Sequence, residues 1–230
     1  MPSPTPIAPD TGAPALIVAL RLATAATHQA VERLPGMVRV TGPDPSLADY
    51  RRYLRLMARV YGTLEPSLYA ALSAPGAAGV GAADHLPSGL AAERIAALGL
   101  RPKFPALCAD LAAHGLEPPA VASDALSPPD LNTALGGLYV LEGSTLGGRV
   151  VARHLRKHLG DPLPGGSFLD FHGDQASAHW KRLGLALERL AADGLIDREA
   201  VIAGACVVFQ EVYAMLATLG VPPGLRRVRP

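Results

Sequence analysis

Aromatic residues are scarce, at 5% of 230 residues, with one Trp, four Phe and six Tyr. The apolar share of 49% therefore rests on aliphatic side chains, and it marks a globular chain, not a disordered one. Cysteine is nearly absent. Cys108 and Cys206 stand far apart in helix-like sequence, which excludes a disulfide framework and fits a reducing cytoplasm. No CxxC or Cys/His ligand set is present, so a zinc site is not expected. Charge of one sign is lacking too: the net charge is +1, which gives no footprint for nucleic acid. The basic cluster Arg226, Arg227 and Arg229 reads as a solvated tail. No stretch reads as long and apolar enough to span a membrane, and Met1 to Pro14 carries prolines without the apolar run of a signal peptide. No Rossmann or flavin signature occurs. The expectation is a cytoplasmic protein that binds neither nucleic acid nor membrane.

What the chain does have is helix. Ala and Leu dominate between the Pro and Gly punctuation, and no strand pattern or internal repeat emerges. Helices are expected at about residues 15–34, 46–72, 90–98, 105–114, 128–159, 174–192 and 197–219. Pro35-Gly36 ends the first. Ser46, with Asp49 three residues on, caps the second, and Pro66 should kink or break it. Ser127 ahead of Pro128-Pro129 opens the fifth. Residues 73–89 form a Gly-, Ala- and Pro-rich loop. The fold class is all-α: a single helical bundle domain over residues 15–220, with a disordered tail over 1–14 and a C-terminal tail over 221–230.

The long fifth helix poses a problem. It carries Gly136, Gly137, Gly143, Gly147 and Gly148. Each glycine in a helix interior costs roughly 1 kcal/mol relative to alanine. Losing a side chain lets another group touch the backbone, either a neighbouring helix or a flat ligand. Gly143 and Gly147 lie four apart on one face, Gly136 shares that face seven residues earlier, and Gly148 flanks it.

The first helix carries a polar stripe. With His28 at zero, Arg21 falls about 20° away, and Thr24 and Glu32 about 40° to either side. Imidazole is a common haem-iron ligand. A carboxylate one turn on can tune its distant ring nitrogen, and an arginine two turns back can pair with a propionate. The solvated face of an amphipathic helix gives the same pattern.

Two motifs taken together carry a resemblance. Leu20-Arg21-x-Ala23-Thr24-x-x-x-His28-x-x-x-Glu32 resembles the proximal helix of the haem oxygenase family. Tyr139-Val-Leu-Glu-Gly143-Ser-Thr-Leu-Gly147-Gly148 resembles its glycine-rich distal helix. The likeness runs from about Leu16 to Leu219 and is greatest to the bacterial, biliverdin-producing branch found beside bacteriophytochromes. It implies a bundle in which haem b, both cofactor and substrate, is sandwiched between those helices. It implies that His28 is the axial iron ligand. It implies that Arg21, Thr24, Glu32 and Gly148 border the haem, and that Gly143, Ser144 and Gly147 form the distal pocket where O₂ needs room. The implied reaction is oxidative opening of haem to biliverdin, CO and iron. Electrons would come from an external ferredoxin or reductase, and a bacteriophytochrome is a possible biliverdin acceptor. Animal-type members have an aspartate where this chain has Ser144; several bacterial members share Gly-Ser there. No acid role is carried onto Ser144, although a hydroxyl can hold a water.

Two other classes stay open at this level. A haem carrier or sensor on the same fold would need no turnover. A di-iron or thiaminase-like enzyme would need Glu-x-x-His pairs or an activated cysteine, and neither pattern is found. The remaining candidates are bland. His154 and His158 suit a helix C-terminus. His172, His179 and Trp180 read as packing near a helix start. Lys181, Arg182 and Arg189 are further propionate partners without a basis for choosing among them. Glu142 has no role legible from its neighbours.

Overall fold

In a computed structural model the described residues are 15–73, 93–120 and 129–219. The expected tails at 1–14 and 221–230, most of the 73–89 loop and the Ser127-Pro128 helix start lie outside them. Among the described residues there are helices and turns only, so the all-α class is borne out.

The helices are α1 (Leu16–Glu32), α2 (Pro35–Thr41), α3 (Leu47–Leu72), α4 (Phe104–Ala113), α5 (Leu131–Leu159), α6 (Ala176–Ala192) and α7 (Arg198–Leu219). A helical turn covers residues 93–96, and a 3₁₀ turn, Gly173–Gln175, precedes α6. Pro35-Gly36 does end the first helix, but Pro35 also starts α2, because a proline is suited to a first helical turn whose N–H is orphaned anyway. Ser46 caps α3 as expected. Its Oγ accepts from Asp49 N at 3.1 Å, and Asp49 accepts in return from Ser46 N. Pro66 does not break α3; Leu64, Glu65, Ser67 and Leu68 around it are all buried, and that packing carries the helix through. Asp130, not Ser127, caps α5, accepting from Asn132 N and Thr133 N at 2.9 and 3.1 Å.

One core joins these elements, drawn from every helix. α7 is long and apolar enough, by length and composition, to cross a membrane. This corrects the expectation that no stretch has that character. Its Ala, Val and Ile content raises the hydropathy, and Val201, Ala205, Val208, Val212 and Leu216 point into the core. α5 and α7 cross at backbone distance. A Cβ on Gly136 would lie 2.3 Å from Val201 O, and one on Gly204 would lie 2.5 Å from Thr133 Cα. Gly137 meets Leu68 and Val208 side chains instead. These glycines serve helix packing.

The chain between α5 and α6 wraps back over α5. Buried Asp110 on α4 accepts from Ser167 N at 3.0 Å and Phe168 N at 2.8 Å. That pins the segment so that Leu169 O sits 2.8 Å from where a Cβ on Gly148 would be. Arg149 anchors the same segment from α5, pairing with Asp170 at 3.0 Å and Asp174 at 2.8 Å. The N-terminus of α1 is held by α6: Leu16 N donates to Glu188, which also pairs with Arg198 at 2.6 Å.

Substituting Gly136 or Gly204 by alanine should therefore destabilise the apo-protein by about 1–3 kcal/mol through overpacking. Urea denaturation of each variant measures this, and wild-type midpoints would show that the crossing can relax.

Candidate functional site

α1 is an unusually bare helix. Of its seventeen residues only Leu16, Leu20 and Thr24 are buried. Arg21, His28 and Glu32 are exposed, whereas Thr24 is only 5% exposed and donates to Leu20 O at 2.8 Å. The stripe thus holds three exposed members and one that faces inward. The His28 side chain is 60% exposed, with Nδ1 3.5 Å from Glu32 Oε1 and its ring edge-on to Phe209 on α7.

On α5, Tyr139 has Thr24 and Arg21 of α1 in its surroundings. Burial pushes the Tyr139 phenol above its ordinary range, so it stays neutral. Along their helices, His28 follows Thr24 by one turn, and Gly143 and Gly147 follow Tyr139 by one and two turns. A Cβ on Gly143 would meet only the Trp180 ring, at 3.6 Å, and one on Gly147 would meet nothing within 4 Å. Trp180 packs on Tyr139, ring centroids 5.4 Å apart. So the five glycines of α5 divide. Gly136, Gly137 and Gly148 admit protein, Gly143 touches only the Trp180 ring, and Gly147 has open space where a side chain would be. Gly148 is placed against Leu169 and not in the open strip; the loop that occupies its missing side chain is invisible to helical spacing.

Ser144 is exposed between the two open glycines. Its Oγ lies 2.6 Å from Tyr61 Oη and 2.8 Å from Leu141 O, and Tyr61 Oη lies 2.8 Å from the same carbonyl. Tyr61, on α3, is buried, and that burial raises its pKa well above the phenol range. The hydroxyl pair can hold a water on the open side without a carboxylate.

Behind Ser144 lies a cluster that spacing did not bring together. Lys103, at the start of α4, is 1% exposed. Its Nζ donates to Leu141 O at 3.0 Å and Thr145 Oγ1 at 2.6 Å, and lies 3.3 Å from Glu142 Oε2. Glu65 fixes its backbone, accepting from Lys103 N at 2.8 Å and Phe104 N at 2.9 Å. The same Glu142 oxygen takes His172 Nε2 at 3.1 Å, with His179 Nε2 at 3.3 Å but off the line of a hydrogen bond. Burial works to raise the Glu142 pKa, but the imidazole contacts and the Lys103 charge outweigh it and hold the carboxyl at about 2. Burial lowers the Lys103 ammonium, opposed by Glu142, and lowers His172 likewise.

Glu142, His172 and His179 place their donor atoms within 4.8 Å of one another, a spacing a metal could use. The ring geometry argues otherwise. The two imidazoles stack with centroids 3.9 Å apart and planes 22° from parallel. A metal bound at about 2 Å must lie near the plane of each ring it binds, and stacked rings cannot both direct a lone pair at one ion. The Lys103 ammonium also occupies that oxygen's surroundings. The set is a hydrogen-bonded charge cluster. Nothing in the sequence marks a lysine at position 103 as buried, so only its partners reveal it.

The remaining candidates are placed elsewhere. His154 Nε2 lies 2.8 Å from Gly42 O, and His158 Nδ1 lies 2.9 Å from His154 O. Arg182 and Arg189 line a shallow depression with Arg94 and Leu185. Lys181 is exposed.

Known proteins resemble this chain along its length. The family described as "Heme oxygenase" matches residues 15–218. A protein named "Heme oxygenase" from Xanthomonas campestris pv. campestris (strain 8004) is 36% identical over 119 residues, 51% of this chain and 68% of that protein. The solved structure of the NO- and CO-bound heme oxygenase from Neisseria meningitidis superposes with a TM-score of 0.65 at 22% identity, covering 94% of this chain and 96% of that one.

Two measurements on the apo-protein test this geometry. Gly147→Ala should leave it as stable or more stable, by up to about 1 kcal/mol, since the helix gains and nothing is struck. Glu142 is held below its ordinary value of 4.5, so its ionisation stabilises the fold above that pH, and the contribution is lost as pH falls from 4.5 toward about 2. Unfolding free energy should drop across that window by roughly 3 kcal/mol, and Glu142→Gln should remove that part of the slope. An unaltered slope in the variant would mean that Glu142 is not the group responsible.

Proposed function

This chain belongs to the haem oxygenase family and is an enzyme of haem degradation, and we propose that it opens haem b to biliverdin, CO and iron between α1 and α5. The observations that carry this reading are the exposed imidazole of His28 on α1 and the space left at Gly147 on α5. Haem supplies the redox metal and is itself the substrate; O₂ and electrons come from outside, the latter from a ferredoxin or reductase.

The chain's residues divide the work. His28 would hold the haem iron, and Glu32, 3.5 Å from its Nδ1, would tune that imidazole. Arg21, exposed beside Tyr139, pairs with a propionate. Thr24 faces inward on α1, in the surroundings of Tyr139. Gly143 and Gly147 leave room above the ring, and Gly148 keeps the helix close to Leu169 where that room ends. Ser144 and Tyr61 hold a water at the open strip, the place a distal carboxylate takes in animal-type members. Residues 15–220 form the working domain. The two free cysteines, Cys108 and Cys206, suit a reducing cytoplasm, and a bacteriophytochrome is a fitting acceptor for the bilin.

Reconstitution with haem, followed by a single turnover under ascorbate or a ferredoxin system, tests the reaction. Soret absorbance should be lost as a biliverdin band grows; a haem complex that forms and survives reductant and O₂ would identify a carrier. His28→Ala should abolish the imidazole-ligated ferrous spectrum, with partial recovery in added imidazole. An unchanged iron–histidine Raman band in that variant would overturn the ligand assignment.

A further inference from the structure

We propose that Lys103 is a positioning residue that turns the Ser144 hydroxyl into a hydrogen-bond donor toward the open distal strip; this rests on the haem reading above. The argument is a count of protons and lone pairs at one carbonyl. Leu141 O has two lone pairs. Three side-chain donors reach it: Lys103 Nζ at 3.0 Å, Tyr61 Oη at 2.8 Å and Ser144 Oγ at 2.8 Å. The α-helical pattern adds a fourth, the N–H of Thr145. Donors therefore outnumber acceptor sites.

Charge decides which donors win. An ammonium makes a stronger hydrogen bond than a neutral hydroxyl, and Lys103 has no route to water at 1% exposure. With the helical N–H and the ammonium in place, the carbonyl is filled. Tyr61 and Ser144, 2.6 Å apart, must then share one proton between them, leaving the second hydroxyl proton to go elsewhere. Burial decides which. Tyr61 is 2% exposed, so its O–H cannot be left unpaired without cost, while Ser144 opens to the strip. The Tyr61 proton goes to Ser144 Oγ, and the Ser144 proton turns outward. Without Lys103, one lone pair on Leu141 O is released. Ser144 then donates to it, as serines commonly do within a helix, and offers the strip only an acceptor.

Glu142 is what lets Lys103 stay charged in the core, and Glu65 fixes its backbone. The cluster behind the helix is thereby linked to the open face through a single carbonyl, Leu141 O.

Vibrational spectroscopy of the ferrous haem–CO complex reads the polarity directly, independent of turnover. A donor near the CO oxygen favours back-donation and lowers the C–O stretch. Lys103→Met should raise that frequency, and Ser144→Ala should raise it as well. In the Ser144→Ala background, Lys103→Met should have no further effect, because the two act through one hydroxyl. The paired variant Lys103→Met with Glu142→Gln, which leaves no unpaired buried carboxylate, should show the same upshift if the single variant folds poorly. An unchanged stretch in every Lys103 variant, with haem bound through His28, would overturn the role of Lys103 and leave the site reading standing. Additive shifts from Lys103 and Ser144 would overturn it too, since they imply a general field or packing effect. Failure of the wild-type protein to bind haem through His28 would bring down both readings together.

Discussion

The close crossing of α5 on α7 governs the placement of the site. Gly136 and Gly204 let two helix backbones meet with no side chain between them, at distances a Cβ could not tolerate. A contact of that kind has almost no freedom to slide, because any translation brings a neighbouring side chain into the gap. α5 is thus fixed firmly near its N-terminal end. Tyr139, Gly143, Ser144 and Gly147 follow that crossing on the same continuous helix.

The far part of that helix needs its own supports, because it borders open space on one side. Two are visible. The segment after α5 folds back, tied by Asp110 and Arg149, and lays Leu169 O against Gly148. Lys103 reaches from the start of α4 to the carbonyl of Leu141 and the hydroxyl of Thr145. The charge that makes this reach strong is neutralised within the core by Glu142, itself flanked by two stacked imidazoles. Burying such a cluster is costly, and breaking it by removing one partner costs more. A bundle that needed only stability could fill the same volume with leucine. The polar arrangement is accounted for by where it lies, directly behind the hydroxyls of the open strip.

α1 shows the complementary constraint. It is anchored at its start through Leu16 and Glu188, and Leu20 and Thr24 are buried along its middle. Past that point it presents an exposed imidazole and carboxylate. Leu22 remains 67% exposed on the same helix, and Val207 on α7 is 55% exposed.

Much of this was legible in the residue order. Helical periodicity and punctuation determine the all-α class, since Ala- and Leu-rich segments between prolines and glycines have few other ways to bury their apolar faces. The capping box at Ser46 and Asp49 is a local interaction and was readable for that reason. So was the candidate stripe, because Arg21, Thr24, His28 and Glu32 share a helix face by geometry alone. The division of the glycines was not readable. Gly136, Gly143, Gly147 and Gly148 look alike along one helix, and only what stands opposite each separates packing from open space. Nor was the Lys103 cluster, whose members sit at positions 65, 103, 142, 172 and 179. Local order determines which residues share a helix face; which faces meet, and what is trapped between them, is decided by long-range packing that no single helix encodes.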